Sequence, residues 1–357
     1  MKPFAEYQLP TADCRLRIGI FGGALNPPHS GHISIIQESI AALKLDKIIL
    51  ALSVNPPHKS KNLAPFEERA ELLEAYFGGD SKVIVDRTEK ETGLTDNFTY
   101  ITLPLLKKKY GVNNEYFYIM GGDSLLNFHL WKHPELIAKE AALAVVPRKG
   151  YGGIDLAIEN VRCKFEAEIV KLPFECEDIS STEVRVFIDK IKQYASEELF
   201  AHLARTTAYA MKFAKKLNIS YEKVYLAAML HDIAKEMPPL KKSYPTNSKK
   251  VIHQYDGAEI AKTEFLIEDS DVLEAIKFHT TGKPGMTPLQ KLIYAADKLE
   301  SGRFYAGVDE IRAEIEEDFE EGFIMLLKRN VEHLKSLGKE NDVLTIEAYK
   351  YYTKGSG

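Results

Sequence analysis

Cysteine is scarce in this sequence of 357 residues. Cys14, Cys163 and Cys176 are the only three, odd in number, far apart and without a C-x-x-C pair. That argues against a disulfide framework and a thiolate zinc site and fits a reducing cytosol. Long apolar runs are missing too. The longest, such as 48–52 and 141–146, fall far short of the ~20 residues that cross a bilayer as a helix. Residues 1–16 mix Pro, Asp, Glu and Gln with no apolar centre, so no secretory leader is expected. Nor is there an excess of positive charge. The net charge of −5 offers no global field for nucleic acid or an acidic membrane, so a polyanionic substrate must be held by local groups. Repeats and low-complexity segments are absent. What is there is an ordinary globular composition, 45% hydrophobic and 28% charged, in a chain long enough for two domains. These features point to a cytoplasmic protein that handles small molecules. They leave a homo-oligomer open.

The first half alternates strand-like and helix-like runs. Residues 17–21 read as a buried strand, followed by a Gly-rich loop and a helix from about Ser30, with Ile33, Ile36, Ile40 and Leu43 on one face. Further strands are expected at 47–54, 82–85, 116–120 and 141–146, and a helix at 66–77. Such alternation predicts an α/β domain, a Rossmann-like doubly wound parallel sheet, with ligands at the carboxyl ends of its strands. After about Arg185 the strand-like runs stop. Helices are expected at 197–217, 221–236, 258–266, 271–278 and 289–299, punctuated by Pro238-Pro239, Tyr244-Pro245 and the stretch 282–288. The second domain is therefore an all-α bundle, with domains placed at 1–187 and 188–357.

Gly22-Gly23-Ala24-Leu25-Asn26-Pro27-Pro28-His29-Ser30-Gly31-His32 joins the first strand to the first helix. Glycines let the backbone approach a phosphate closely, and the helix start adds free N–H groups and a positive dipole end. Two histidines three apart at that start can donate hydrogen bonds to phosphoryl oxygens. That suits phosphoryl chemistry, in which catalysis is mostly positioning and charge stabilisation.

This segment resembles the signature of nicotinate-mononucleotide adenylyltransferases, within the wider H-x-G-H nucleotidyltransferase superfamily. Further matches follow in order: Asn55-Pro56-Pro57-His58-Lys59, Thr95-Asp96-Asn97-Phe98-Thr99-Tyr100, Gly121-Gly122-Asp123-Ser124 with Trp131 after it, and Ile179-Ser180-Ser181-Thr182-Glu183-Val184-Arg185. The resemblance, over about 15–187, implies adenylyl transfer from ATP to nicotinate mononucleotide, with Mg²⁺ carried on the ATP. It implies that Gly22, Gly23, His29 and His32 meet the ATP phosphates, the two histidines acting catalytically. Ser180, Ser181, Thr182 and Arg185 would cradle the triphosphate. Asn26, Lys59, Thr99, Tyr100, Asp123 and Trp131 would hold the mononucleotide: Lys59 its phosphate, Trp131 its ring, Thr99 and Tyr100 its carboxylate, and Asp123 a ribose or polar edge. Nicotinamide mononucleotide is the alternative acceptor. Two departures stand out. Ala24-Leu25 occupies the place where the family carries a hydroxyl residue and then Phe. Past 187 the chain runs straight into the second domain rather than into a closing helix.

In the second half His202, His231-Asp232, His253, His279 and Asp297 stand on or beside expected helices, which a bundle can bring together in its core. Imidazole and carboxylate without thiolate suit iron, manganese, zinc or nickel. Since one metal takes about four ligands, six candidates predict two metals sharing a bridging carboxylate, Asp232, an arrangement that activates water and clamps a phosphoryl group. The series resembles the HD-domain phosphohydrolases. Leu230-His231-Asp232-Ile233-Ala234-Lys235, His279-Thr280-Thr281-Gly282-Lys283-Pro284-Gly285-Met286 and Ala296-Asp297-Lys298-Leu299-Glu300-Ser301-Gly302-Arg303 are similar to bacterial hydrolases that split diadenosine tetraphosphate symmetrically into ADP. By that resemblance His202, His231, Asp232 and Asp297 bind one metal, with iron first, and His253 and His279 complete a second. Asp232 and Lys235 take part in catalysis, and Arg205, Lys235 and Arg303 hold polyphosphate oxygens. The alternative is a non-catalytic nucleotide-sensing module.

Overall fold

The computed structural model describes residues 15–56, 63–93, 98–148, 152–176, 181–240, 244, 246, 248, 251–336 and 342–353. Within them the chain runs β1 (Arg17–Gly23), α1 (Ser30–Ala42), β2 (Lys47–Leu52), α2 (Phe66–Phe77), β3 (Val83–Asp86), α3 (Thr88–Thr92), α4 (Thr99–Tyr110), β4 (Glu115–Gly121), α5 (Gly122–Leu126), α6 (Pro134–Glu140), β5 (Ala142–Val146), α7 (Ile154–Phe165) and β6 (Ile169–Lys171). Helices alone follow among the described residues: α8 (Ser181–Ile191), α9 (Glu197–Met211), α10 (Tyr221–Leu230), α11 (Ile252–Thr263), α12 (Ser270–Phe278), α13 (Pro288–Leu299), α14 (Val308–Glu317), α15 (Phe319–Ser336) and α16 (Val343–Thr353). No helix of the described residues is long and apolar enough to cross a membrane.

The six strands form one parallel sheet in the order β3-β2-β1-β4-β5-β6, the doubly wound arrangement expected from the alternating pattern. Strands covered on both faces read as unbroken apolar runs, and β2 and β5 are such runs, buried along nearly their whole length. Strand order reverses between β1 and β4, so the crevice for a ligand opens at their carboxyl ends. Gly19 in β1 is required by packing, because a Cβ there would stand 2.6 Å from Leu45 Cδ1. β6 is a strand that the sequence pattern does not announce. Three residues with only Ile169 buried carry no period, and pairing with β5 defines them.

Two compact units emerge. The first comprises 1–26, 35–70 and 81–178; the second comprises 27–34, 71–80 and 179–357. Within the second, local chemistry sets the helix starts. Ser196 accepts from Leu199 N–H at the head of α9, and Asp269 accepts from Asp271 and Val272 at the head of α12. Thr287 and Gln290 form a reciprocal capping box at α13, with Pro288 in the first turn. These caps fix where α9, α12 and α13 begin, the helices that bring His202, His279 and Asp297.

Candidate functional site

The HD series converges. His202 lies within α9, His231-Asp232 just past α10, His253 in the first turn of α11, His279 just past α12 and Asp297 in α13. His202, His231, Asp232 and Asp297 form one group of donor atoms within 4.8 Å of one another, and Asp232, His253 and His279 form another. Asp232 belongs to both through different oxygens. Its Oδ2 faces His202 Nε2 at 3.6 Å and His231 Nε2 at 3.5 Å. Its Oδ1 faces His253 Nε2 at 3.2 Å and His279 Nε2 at 3.1 Å. Asp297 Oδ1 is 3.2 Å from His202 Nε2.

The outer nitrogens of three of these rings are engaged. His231 Nδ1–H donates to Ala228 O and His279 Nδ1–H to Ile276 O, both at 2.7 Å, while His202 Nδ1 meets Glu300 Oε1 at 3.2 Å. The Nε2 lone pairs are thereby turned inward, as metal-ligating imidazoles are held. The donor set of nitrogen and carboxylate oxygen fits a divalent metal.

Electrostatics agree with so dense a cluster. Burial opposes charge on His202, but Asp232, Asp297 and Glu300 outweigh it and raise its pKa to about 10. Burial pulls His279 down to about 4 against the pull of Asp232. Burial also opposes ionisation of Asp232, yet His231 and the surrounding imidazoles hold it well below the usual carboxylate range. Lys235 Nζ lies 2.5 Å from Asp232 Oδ2, Arg303 Nη2 donates to Asp297 Oδ1 at 2.8 Å, and Arg205 Nε donates to Glu300 Oε2 at 2.7 Å. The three cations proposed for polyphosphate thus ring the cluster.

In the first unit a cavity of about 780 Å³ opens at the ends of β1 and β4. Gly22, Gly23, Ala24, Thr99, Asp123 and Trp131 line it. Trp131 sets its edge on Tyr118, ring centroids 6.1 Å apart, and Tyr118 Oη meets Thr99 Oγ1 at 3.4 Å. Asp123 Oδ2 accepts from Arg148 at 3.4 Å. Asn26 Oδ1 accepts from Ala64 N–H at 3.3 Å. Tyr100 is not among the lining residues and packs on His133 instead, centroids 4.7 Å apart. Leu25 is buried with φ of 42°, left-handed backbone that a leucine rarely adopts. Ala24-Leu25 is therefore a tightly held turn as well as a departure from the family pattern.

His29 and His32 belong to the second unit's segment 27–34. They flank the first turn of α1 with ring centroids 3.8 Å apart. Thr182 is exposed and Arg185 half-buried on α8. Ser181 begins α8, its side chain outside the described residues, as are Lys59 and Ser180.

Comparison with known proteins separates an N-terminal from a C-terminal half. A cytidylyltransferase-like family model matches residues 20–187, and an HD-domain model matches 199–302. A probable nicotinate-nucleotide adenylyltransferase of Rubrobacter xylanophilus is 33% identical over 48% of this chain and 79% of its own length. The symmetrical bis(5′-nucleosyl)-tetraphosphatase of Bacillus subtilis is 31% identical over 46% of this chain and 95% of its own. The chain belongs to the nicotinate-nucleotide adenylyltransferase family in its first half and to the symmetrical bis(5′-nucleosyl)-tetraphosphatase family, with its HD domain, in its second. A Mycoplasma genitalium protein named as a probable nicotinate-nucleotide adenylyltransferase/Ap4A hydrolase joins both halves, 26% identical over 80% of this chain and 88% of its own length.

Several residues of this adenylyltransferase–HD protein were given no role by the motif reading. Glu300 is 1% exposed and gathers His202, Arg205 and the Gly302 N–H. Thr280 Oγ1 sits 2.9 Å from His279 Nε2 and 3.2 Å from His253 Nε2. In the first half Arg69 is 2% exposed. Its guanidinium donates to the carbonyls of Ala24, Ser53 and Ala64 at 2.7–2.9 Å, tying the Gly-rich turn to the segments on either side of 57–62. Glu89 accepts from Val54 N–H and Thr102 Oγ1 at the cavity wall. Glu300 and Thr280 lie within the motifs quoted around Asp297 and His279, which is the sequence signal that could have found them; Arg69 and Glu89 lie in none.

Proposed function

We propose that this is a bifunctional enzyme with halves at 1–187 and 188–357. The first half transfers the adenylyl group of ATP to nicotinate mononucleotide. The 5′-phosphate oxygen attacks the α-phosphorus, a P–O bond forms, and the bond to pyrophosphate breaks. Trp131 holds the pyridine ring and Thr99 lies by its carboxylate, while Gly22 and Gly23 admit phosphate to the backbone at the end of β1. His29 and His32 donate to oxygens on which charge builds, with Mg²⁺ on the ATP. The cavity at the ends of β1 and β4, walled by Trp131 and Thr99, supports this reading.

The second half hydrolyses diadenosine tetraphosphate to two ADP. His202, His231, Asp232 and Asp297 would hold one metal, and Asp232, His253 and His279 a second, iron being the first choice. Such metals, when bound, lower the pKa of water and neutralise phosphoryl charge. The protein's own part is to orient. Asp232 is shared between the two histidine pairs, and Lys235, Arg205 and Arg303 face the polyanion. The two oxygens of Asp232, each turned to a different pair of histidines, carry the reading. Assay of both activities on one preparation, with metal analysis, tests it. Dinucleotide formation and ADP release support it. Nucleotide binding without turnover in the second half would make that half a sensor.

A further inference from the structure

We infer that Lys132 selects the acceptor: its ammonium, on the wall of the first cavity, pairs with the carboxylate on the pyridine ring, so that nicotinate rather than nicotinamide mononucleotide is adenylylated. This rests on the proposed adenylyl transfer and names the side chain that decides its substrate.

Lys132 is the one cationic residue among the described residues lining the cavity. The two acidic lining residues, Glu89 and Asp123, are engaged. Glu89 accepts from Val54 N–H and Thr102 Oγ1, and Asp123 accepts from Arg148. Lys132 has no ion pair among the described residues. Its Nζ lies 4.4 Å from the centre of the Phe98 ring, a cation–π placement that keeps an exposed ammonium at one spot without neutralising it.

That spot lies where a carboxylate would come to rest. Trp131, the preceding residue, lines the cavity, and Thr99, the residue after Phe98, lines it too and begins α4. The first N–H groups of a helix have no partner in the helix itself and favour an anion. Phe98 stacks with Tyr100 and Tyr100 packs on His133, so the segments that bring Phe98, Thr99, Trp131 and Lys132 to the cavity are packed on each other rather than being two independent loops. A pyridine ring against Trp131 thus has the start of α4 and the Lys132 ammonium beside its edge. A carboxylate there gains a charge-assisted hydrogen bond. A carboxamide can present only a neutral carbonyl oxygen to the ammonium, without the charge that strengthens the bond, and its NH₂ finds no acceptor in a lysine.

The test compares wild type, Lys132→Met, Lys132→Gln and Lys132→Arg in the full chain, with nicotinate and nicotinamide mononucleotides and saturating ATP. Losing a hydrogen bond to a charged group is expected to lower kcat/KM for the acid roughly 10-fold or more in Met and Gln, almost wholly through KM. The amide should change less than twofold. Arg should restore the acid to within about threefold, and the KM for ATP should stay put. Added salt should erode the preference in wild type and not in Lys132→Met. An equal loss for acid and amide, or no loss for either, overturns the inference while leaving the transfer reaction in place. If wild type adenylylates neither acceptor, the proposed reaction fails. Equilibrium binding of the two mononucleotides without ATP then decides Lys132 by itself: an acid-to-amide affinity ratio unchanged by Lys132→Met refutes it.

Discussion

Replacing Glu300 by Gln removes one charge and almost no volume, and its consequences can be worked through. The carboxylate is 1% exposed and accepts from Arg205 Nε at 2.7 Å, from the Gly302 N–H at 2.5 Å and from the His202 ring at 3.2 Å. Burial alone would raise its pKa, but His202, Arg205 and Gly302 lower it from 4.5 to about 2. That fall corresponds to roughly 3 kcal/mol of stabilisation, at about 1.4 kcal/mol per tenfold in proton affinity. An amide accepts through one oxygen and turns its NH₂ towards a donor, so most of this is lost. Because the folded pKa is depressed, the contribution is fully present above pH 4.5 and disappears as pH falls through about 2. Wild type and Glu300→Gln should therefore differ by about 2–4 kcal/mol in the unfolding transition of the second half near pH 7, and the gap should close towards pH 2. His202 also loses the group that orients it, so metal affinity should fall about 10–100-fold. Denaturant unfolding with metal titration reads both effects, and adenylyl transfer serves as the internal control. A variant within about 0.5 kcal/mol of wild type that binds metal equally well would refute the reasoning.

Three further outcomes are expected. His32→Ala should cut adenylyl transfer about 10²–10³-fold in kcat and leave polyphosphate hydrolysis intact; near-wild-type transfer would remove His32 from the chemistry. Trp131→Ala should raise the KM for the mononucleotide more than that for ATP, since an aromatic face stacks on a pyridine ring and does nothing for a triphosphate; equal rises would make it a packing residue. His279→Ala should lower metal content from two per chain towards one and sharply reduce hydrolysis, read by elemental analysis and ADP release. Unchanged metal and turnover would leave no second metal at His253 and His279.

The sequence by itself determined the parts. Short unbroken apolar runs read as strands buried on both faces, and their alternation with helical periods predicted a parallel sheet. The Gly-rich turn before His29 and His32, the histidine–aspartate series and the absence of clustered cysteine determined which chemistry was available. These are local properties, because residue type and spacing along one element carry them. The tertiary structure decided the relations between elements. Glu300 is joined to His202 across 98 positions, so no period or motif announces the pair. Nor does one announce Arg69, whose three carbonyl acceptors come from three separate segments. β6 exists because β5 offers it an edge. Asn26 Oδ1 accepts from Ala64 N–H and Tyr100 packs on His133, contacts that residue type and spacing do not announce. Most consequential is Asp232. The sequence pointed to Asp232 as a carboxylate shared between two ligand sets, but only the packing of α9 to α13 turned one oxygen to His202 and His231 and the other to His253 and His279. Which oxygen faces which histidine depends on where helices cross, and a linear chain does not record those crossings.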